Sequence, residues 1–251
     1  MGTTSNRGGP HEHSRPARLQ PPSWLGHRVL PRGAGGYGLT LPTPPRLRRR
    51  AFATTDYLPP PDGRRFRSTI QRVPQQVLRR STYRPACPVD VAGLRYVTMT
   101  FWGFDHRPHT GEMILAASEA REVTTVFRHL YRERFPIEEM RVSSRRDLRA
   151  PPTGDGNNTS AFSCRFATQG ASWSQHAYGL AVDVDPFQNP YRSGHLVLPE
   201  LASSYTNRSW RRPGMILAGG MVVRAFAAIG WGWGGSWHTV KDYMHFSSTG
   251  R

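Results

Sequence analysis

The chain has 251 residues, two cysteines and a formal net charge of +17, which leaves room for one ordinary domain with a tail, or for two very small domains. The charge is nearly all arginine, with Lys241 the single lysine. Such a bias, alongside 25 glycines and 22 prolines, reflects genomic base composition more than nucleic-acid binding, the functional alternative being attraction to an anionic polymer such as nucleic acid or an acidic cell wall. No stretch approaches the ~20 apolar residues of a membrane span. Arg48-Arg49-Arg50 is not followed by the apolar run of a secretory signal.

Residues 1–68 are dense in Pro, Gly and Arg and lack periodic apolar residues. Runs such as Pro59-Pro60-Pro61-Asp62-Gly63 bury too little surface to offset ordering entropy, so this part is expected to be a disordered tail before a domain at 69–251. His11 and His13 read as solvated tail histidines. Periodic sequence begins later: Leu94–Trp102 reads as a strand and Glu112–Ala117 as its hairpin partner, with Asp105, Pro108 and Gly111 supplying the turn. His106 and His109 fall in that turn with His-x-x-His spacing and read as solvated, metal ligands being the other reading.

Ser118 is placed to cap a helix in which Val123, Val126, Phe127, Leu130 and Tyr131 recur at helical spacing. Glu119 and Glu122 in its first turn and Arg132 and Arg134 near its end suit the macrodipole. A short strand over Ile137–Val142 leads into a polar loop from Ser143 to Ser174, long enough to suggest function. From Gly179 to Asp185 the pattern alternates, putting Leu180, Val182 and Val184 on one face and Ala181, Asp183 and Asp185 on the other. After the Gln188-Asn189-Pro190 loop, a helix is expected over Met221–Ala228, ending at Gly230. The Trp231–Trp237 run is either a carbohydrate-stacking platform or aromatic packing around a tight turn. Cys87 and Cys164 are either a buried free pair or one disulfide, which would imply an oxidising compartment.

A mononuclear hydrolytic zinc takes three His or carboxylate ligands and leaves its fourth position to water. His176, Asp183 and His245 can supply those three, provided Gly179 allows a tight bend between the His176 loop and the following strand. Asp242 and His245 are three apart and in an extended segment would face opposite sides, so a local turn must bring them to one site.

Ser174-Gln175-His176-Ala177-Tyr178-Gly179-Leu180-Ala181-Val182-Asp183 and the later Asp242-Tyr243-Met244-His245 together resemble the VanY-type D-alanyl-D-alanine carboxypeptidase and L-alanyl-D-glutamate endopeptidase family of zinc metallopeptidases. Its pattern is S-x-H-x-x-G-x-A-x-D followed by an acid and a last histidine. The resemblance runs from about Leu94 to His245. It implies a small α+β fold of the Hedgehog/DD-peptidase type, an antiparallel sheet with flanking helices, one Zn2+ on His176, Asp183 and His245, and Asp242 as the catalytic acid/base. Implied substrates are the peptide stems of peptidoglycan, with an extracytoplasmic or cell-wall location despite no visible signal peptide. A non-catalytic zinc or cell-wall-binding module on the same fold is the alternative.

Some relatives end in E-x-W-H. Here Trp237-His238 matches its last two letters while Gly235 stands at the acid, so the complete D-x-x-H form is preferred. Ser236 also departs from the endopeptidase branch, which commonly carries Asp after the two glycines. Arg165 is the candidate for stabilising developing negative charge or holding a substrate carboxylate, with a solvent-facing arginine as the other reading. Ser174, Tyr178 and Trp237 are candidate substrate contacts, and Asp185 is either a partner of a ligand histidine or a strand-end cap. The expected partners are peptidoglycan stems and anionic wall polymers met by the basic tail, without a specific nucleic acid or a membrane span, and with the protein acting as a monomer.

Overall fold

The computed structural model describes residues 20–168 and 170–251; His11 and His13 lie outside them. The elements in chain order are β1 Ser68–Arg72, α1 Gln75–Arg80, β2 Leu94–Trp102, β3 Pro108–Ala116, α2 Ala120–Arg132, β4 Glu139–Met140, α3 Arg145–Arg149, β5 Asn158–Thr159, β6 Ala181–Asp183, β7 Tyr191–Ser193, β8 Leu196–Leu198, α4 Met221–Ala227, β9 Gly232–Trp233, β10 Lys241–Asp242 and β11 His245–Ser247. The architecture is α+β. Among the described residues the strands form three antiparallel sheets ordered β1-β2-β3, β10-β7-β8 and β6-β11-β9, plus a parallel pair β4-β5.

The apolar periodicity of α2 places Val123, Val126, Phe127 and Leu130 in the main core, against Val97, Met99, Met113 and Leu115 of the β2-β3 hairpin. From the other side α4 closes the core: Phe226 stands edge-on to Phe127 at 6.4 Å and stacks on Phe246 of β11 at 4.0 Å. One apolar layer therefore holds the hairpin and the β6-β11-β9 sheet in fixed relation. Trp231 and Trp233 also belong to it, so packing, not a sugar platform, explains two of the three tryptophans in the Trp231–Trp237 run.

Several local expectations change. The α2 cap position is Glu119, not Ser118, and Glu119 accepts from Trp231 Nε1 at 3.0 Å. Strand β3 begins at Pro108, so His109 is not in the turn. It is buried between Asp56 (2.8 Å) and Asp105 (3.0 Å), while His106 remains exposed. The Ile137–Val142 strand shrinks to two residues. The 143–174 loop contains α3, whose capping box joins Ser144 and Asp147. Cys87 and Cys164 are joined as a disulfide, which ties the approach to β2 to the segment before His176.

The largest correction concerns residues 20–68, expected as a disordered tail. Leu30, Leu47 and Phe52 are buried in a second core with Phe187, Leu201, Tyr205 and Met215. Arg50 is 4% exposed and donates to Glu138 through Nε (2.8 Å) and Nη2 (2.6 Å), while its Nη1 donates to the Asp155 carbonyl at 2.7 Å. The Arg50 guanidinium also lies 4.5 Å over the Phe187 ring. A few apolar anchors and one fully paired arginine replace the periodic pattern that the segment lacks. Removing one partner of a buried ion pair typically costs ~3–5 kcal/mol because the other charge is left uncompensated. Arg50→Ala should lower unfolding stability by about that amount in a denaturant titration. A loss below ~0.5 kcal/mol would mean that the Arg50–Glu138 pair contributes nothing to the fold.

Candidate active site

Three different local structures deliver the three candidate ligands. Asp183 closes β6 and His245 opens β11, where the antiparallel register sets them directly opposite each other. Cross-strand partners have their Cβ atoms ~4.5–5.5 Å apart, close enough for a carboxylate and an imidazole to meet. Asp183 is gripped on its other edge by Ser160, with backbone N–H···O bonds of 2.9 and 3.0 Å in both directions. His176 rides on a 3-10 turn over Gln175–Tyr178, where the Ser174 hydroxyl accepts from the His176 N–H at 3.3 Å. Gly179 ends that turn at φ 71°, and a Cβ there would lie 2.5 Å from the Ala116 N and 2.9 Å from the Leu115 carbonyl carbon. The bend expected of Gly179 is thus required twice, by backbone angle and by contact with β3.

His176 Nε2 lies 3.1 Å from Asp183 Oδ2 and 3.2 Å from His245 Nδ1, which is itself 3.2 Å from Asp183 Oδ1. The outward nitrogens are engaged elsewhere. His176 Nδ1 meets the Ala161 carbonyl at 2.6 Å and His245 Nε2 meets the Arg251 carbonyl at 3.1 Å. A carbonyl only accepts, so both outward nitrogens are assigned as N–H donors and both inward nitrogens carry lone pairs. Two lone pairs and a carboxylate converging on one point can hold a cation there. The donor set therefore fits a metal ion, and the hydrogen bonds behind it are those that orient metal-binding histidines. Asp183 is held well below the usual carboxylate range: burial opposes this, but the His176 and His245 contacts outweigh it. His245 is raised, its burial being outweighed by Asp183 and Asp242.

Asp242 lines the same cleft as His176 and His245, with a cavity volume of about 930 Å³. The turn needed between Asp242 and His245 is supplied by splitting the motif across two sheets: Asp242 pairs with Tyr191 in β7, while His245 pairs with Asp183 in β6. Gly234 makes room for this turn, since a Cβ there would come within 2.7 Å of the Asp242 carbonyl and 2.9 Å of its Cβ. Asp242 Oδ1 is a buried oxygen with no hydrogen-bond partner among the described residues. Its carboxyl is pushed up to about 7, first by burial and then by the Asp183 charge, with His245 and Arg165 acting in the other direction.

Arg165, Ser174, Tyr178 and Trp237 also line the cleft. Trp237 packs 5.4 Å from the His245 ring and donates Nε1 to the Gly250 carbonyl at 2.8 Å. His238 is exposed and stands outside the ligand cluster. Asp185 is fully buried, but it accepts from the Glu138 N–H at 3.0 Å and contacts neither histidine. Its pairing lies with the second core near Arg50, because β6 has ended and the chain turns at Asp185 with φ 42°. The sequence reading missed the Ala161 carbonyl behind His176 and the clearance at Gly234. Only the double glycine of the Trp-rich run hints at the latter. It also missed a rim formed by Phe166, 51% exposed, stacked on Trp173 at 4.5 Å.

Two histidines and an aspartate converging beside a carboxylate that has one buried oxygen without a hydrogen-bond partner among the described residues define a candidate mononuclear metal centre of hydrolytic type. Residues 167–248 match a family model described as D-alanyl-D-alanine carboxypeptidase, which includes all three candidate ligands and Asp242. No curated protein and no solved structure matches the chain. No helix among the described residues is long and apolar enough to cross a membrane.

The raised Asp242 carboxyl has a measurable sign. A carboxyl with a folded pKa above its unfolded value keeps its proton longer in the fold, so its stabilising contribution is full below about pH 4 and is lost as pH rises to about 7. In chelator-treated protein, Asp242→Asn should remove that loss, and thermal melts should show the variant gaining on wild type between pH 4 and 7.5. A difference that stays constant over this range would show that Asp242 titrates as an ordinary aspartate.

Proposed function

We propose that the protein is a zinc-dependent peptidase that hydrolyses peptidoglycan stem peptides and trims a C-terminal D-alanine. The observation that carries this reading is the arrangement of Asp242: its orphaned oxygen shares a cleft with the two histidines whose inward lone pairs converge with Asp183. His176 Nε2, His245 Nδ1 and an Asp183 oxygen would hold the ion. When bound, zinc supplies Lewis acidity, lowering the pKa of a water toward ~7 and polarising a carbonyl.

The protein's own groups do the rest. Asp242, ionised, accepts a proton from the attacking water as the new C–O bond forms. It then returns that proton to the amine nitrogen as the C–N bond breaks, a service typically worth ~10²–10⁴-fold. Arg165 lines the cleft and its charge is felt at Asp242. A guanidinium there matches the carboxylate of a terminal residue and supports trimming from the end over cutting within the stem. Ser174 holds the His176 turn, and Tyr178 and Trp237 supply walls for the peptide.

The test uses the full chain loaded with zinc, since residues 20–68 are built into the fold. Metal content is quantified, and muropeptides of defined stem length are incubated with the protein and followed by mass spectrometry. The expected result is one zinc per chain and release of D-alanine from pentapeptide stems. Asp242→Asn should keep zinc and lose hydrolysis by ~10²-fold or more, whereas His176→Ala should lose both. Cleavage between L-Ala and D-Glu would replace the carboxypeptidase reading with an endopeptidase one. Zinc bound without any cleavage would support a binding module on the same fold.

A further inference from the structure

A second feature stands apart from the cleft, where α2 and the approach to β1 meet the end of β2. Trp102 stacks on Tyr131 at 5.3 Å, and Tyr131 packs against Phe66 at 5.6 Å. Three guanidinium groups are seated on this row of rings: Arg64 and Arg134 over Trp102 at 5.9 and 5.4 Å, and Arg128 over Phe66 at 5.3 Å. Arg132 follows Arg128 by one helical turn, ~6 Å along α2.

The row is fixed by the fold. Tyr131 donates its hydroxyl to the Arg64 carbonyl at 2.7 Å, and Arg134 occupies a left-handed turn at φ 53° just after α2. All four arginines are exposed, and none pairs with a carboxylate within 4.0 Å among the described residues. Asp62 and Glu133, their acidic neighbours in the chain, make no ion pair with them. Three arginines elsewhere are paired with carboxylates: Arg50 with Glu138, Arg80 with Glu112 and Arg141 with Asp147. Here aromatic faces orient the guanidinium groups and leave their N–H edges to solvent, which suits repeated phosphate groups.

We infer that this arginine ladder is a docking surface for a phosphodiester-linked anionic polymer of the cell wall. The choice of a wall polymer rests on the function proposed above; the charge pattern does not. Nucleic acid fits less well. Single-stranded binding relies on aromatic faces free to stack on bases, whereas Trp102 is 7% and Tyr131 6% exposed, and their faces are taken by arginine and by each other. The ladder offers charge at intervals and no stacking surface. Holding the enzyme on such a polymer would keep its cleft near the attached peptide stems.

The experiment compares the full chain with R64Q/R128Q/R134Q and with R145Q/R146Q/R149Q, which removes the same charge from exposed α3. Binding to poly(glycerol phosphate), poly-L-glutamate and single- and double-stranded DNA is measured over a salt series. The ladder variant should lose about tenfold or more in affinity for poly(glycerol phosphate) near 0.15 M salt, with a log–log salt slope shallower by ~2–3, while the α3 variant changes less than about twofold. Equal losses in both variants would reduce the effect to net charge and overturn the inference. Ladder-dependent binding that is tighter to DNA would overturn it in favour of nucleic acid, and ladder-dependent binding tighter to poly-L-glutamate would overturn it in favour of carboxylate polymers. Wild-type melting temperature in the ladder variant separates lost binding from lost folding. Should that variant melt early, single Arg128→Gln with the salt slope of the wild-type protein decides the matter. Hydrolysis of a short soluble stem peptide should be the same in all three proteins, so failure of the docking surface and failure of the peptidase reading give different results.

Discussion

The constraint on which the site depends is the pairing of Asp183 with His245 across the β6-β11 ladder. A one-residue slip in that register would turn one of the two side chains to the opposite face of the sheet. The register is held by Val182 and Phe246, the next pair along the same ladder, both fully buried in the main core. Phe246 is stacked on Phe226 of α4, which in turn meets Phe127 of α2. The geometry of the polar cluster is therefore set by apolar packing one residue away. His176 enters from outside this sheet and is positioned by the contact of Gly179 with β3, so both ends of the main core are needed to close the triad.

Burial treats three neighbouring aspartates differently, according to what each one meets. Asp183 faces two imidazoles and stays ionised against the desolvation cost. Asp242 faces Asp183 and keeps one oxygen without a partner, so burial raises it. Asp185 is buried near Glu138, and its carboxyl stands well above the ordinary range despite the Glu138 N–H bond. Divergent proton affinities in adjacent carboxylates are what separate a ligand from an acid/base group. Asp185 shows that such a shift alone does not mark a site, because it lies away from both histidines.

The parts of this arrangement legible in the sequence were those with short-range signals. The α2 periodicity, the β2-β3 hairpin and the alternation through Val182 and Val184 each reflect a face turned to one core. The convergence of His176, Asp183 and His245 was also readable, because residue type and the bend at Gly179 are local properties. The geometry of Asp242 was not, since its separation from His245 depends on two strands joining different sheets. The position of His109 is not legible locally because its partner Asp56 lies in a segment without periodic apolar residues. α3 does carry a local signal in Ser144 and Asp147, but the polar length of the surrounding loop obscured it.

The misreading of residues 20–68 follows from how such a segment is stabilised. Window-averaged hydrophobicity measures whether a stretch can bury enough surface by itself. Leu30, Leu47 and Phe52 are too far apart in sequence to register on that scale, yet each enters the same core beside Phe187 and Tyr205. Arg50 adds to this through contacts with residues 88 and 105 positions away. An arginine in a Pro- and Arg-rich run looks like a solvated charge until its partner is known, and that partner was hidden in an unremarkable Ile137-Glu138-Glu139 stretch. The same ambiguity applies to every arginine in the chain. Whether a guanidinium is neutralised by a carboxylate, as at Arg50, or seated on rings with its edge to solvent, as at Arg64, Arg128 and Arg134, is decided by tertiary neighbours and not by composition.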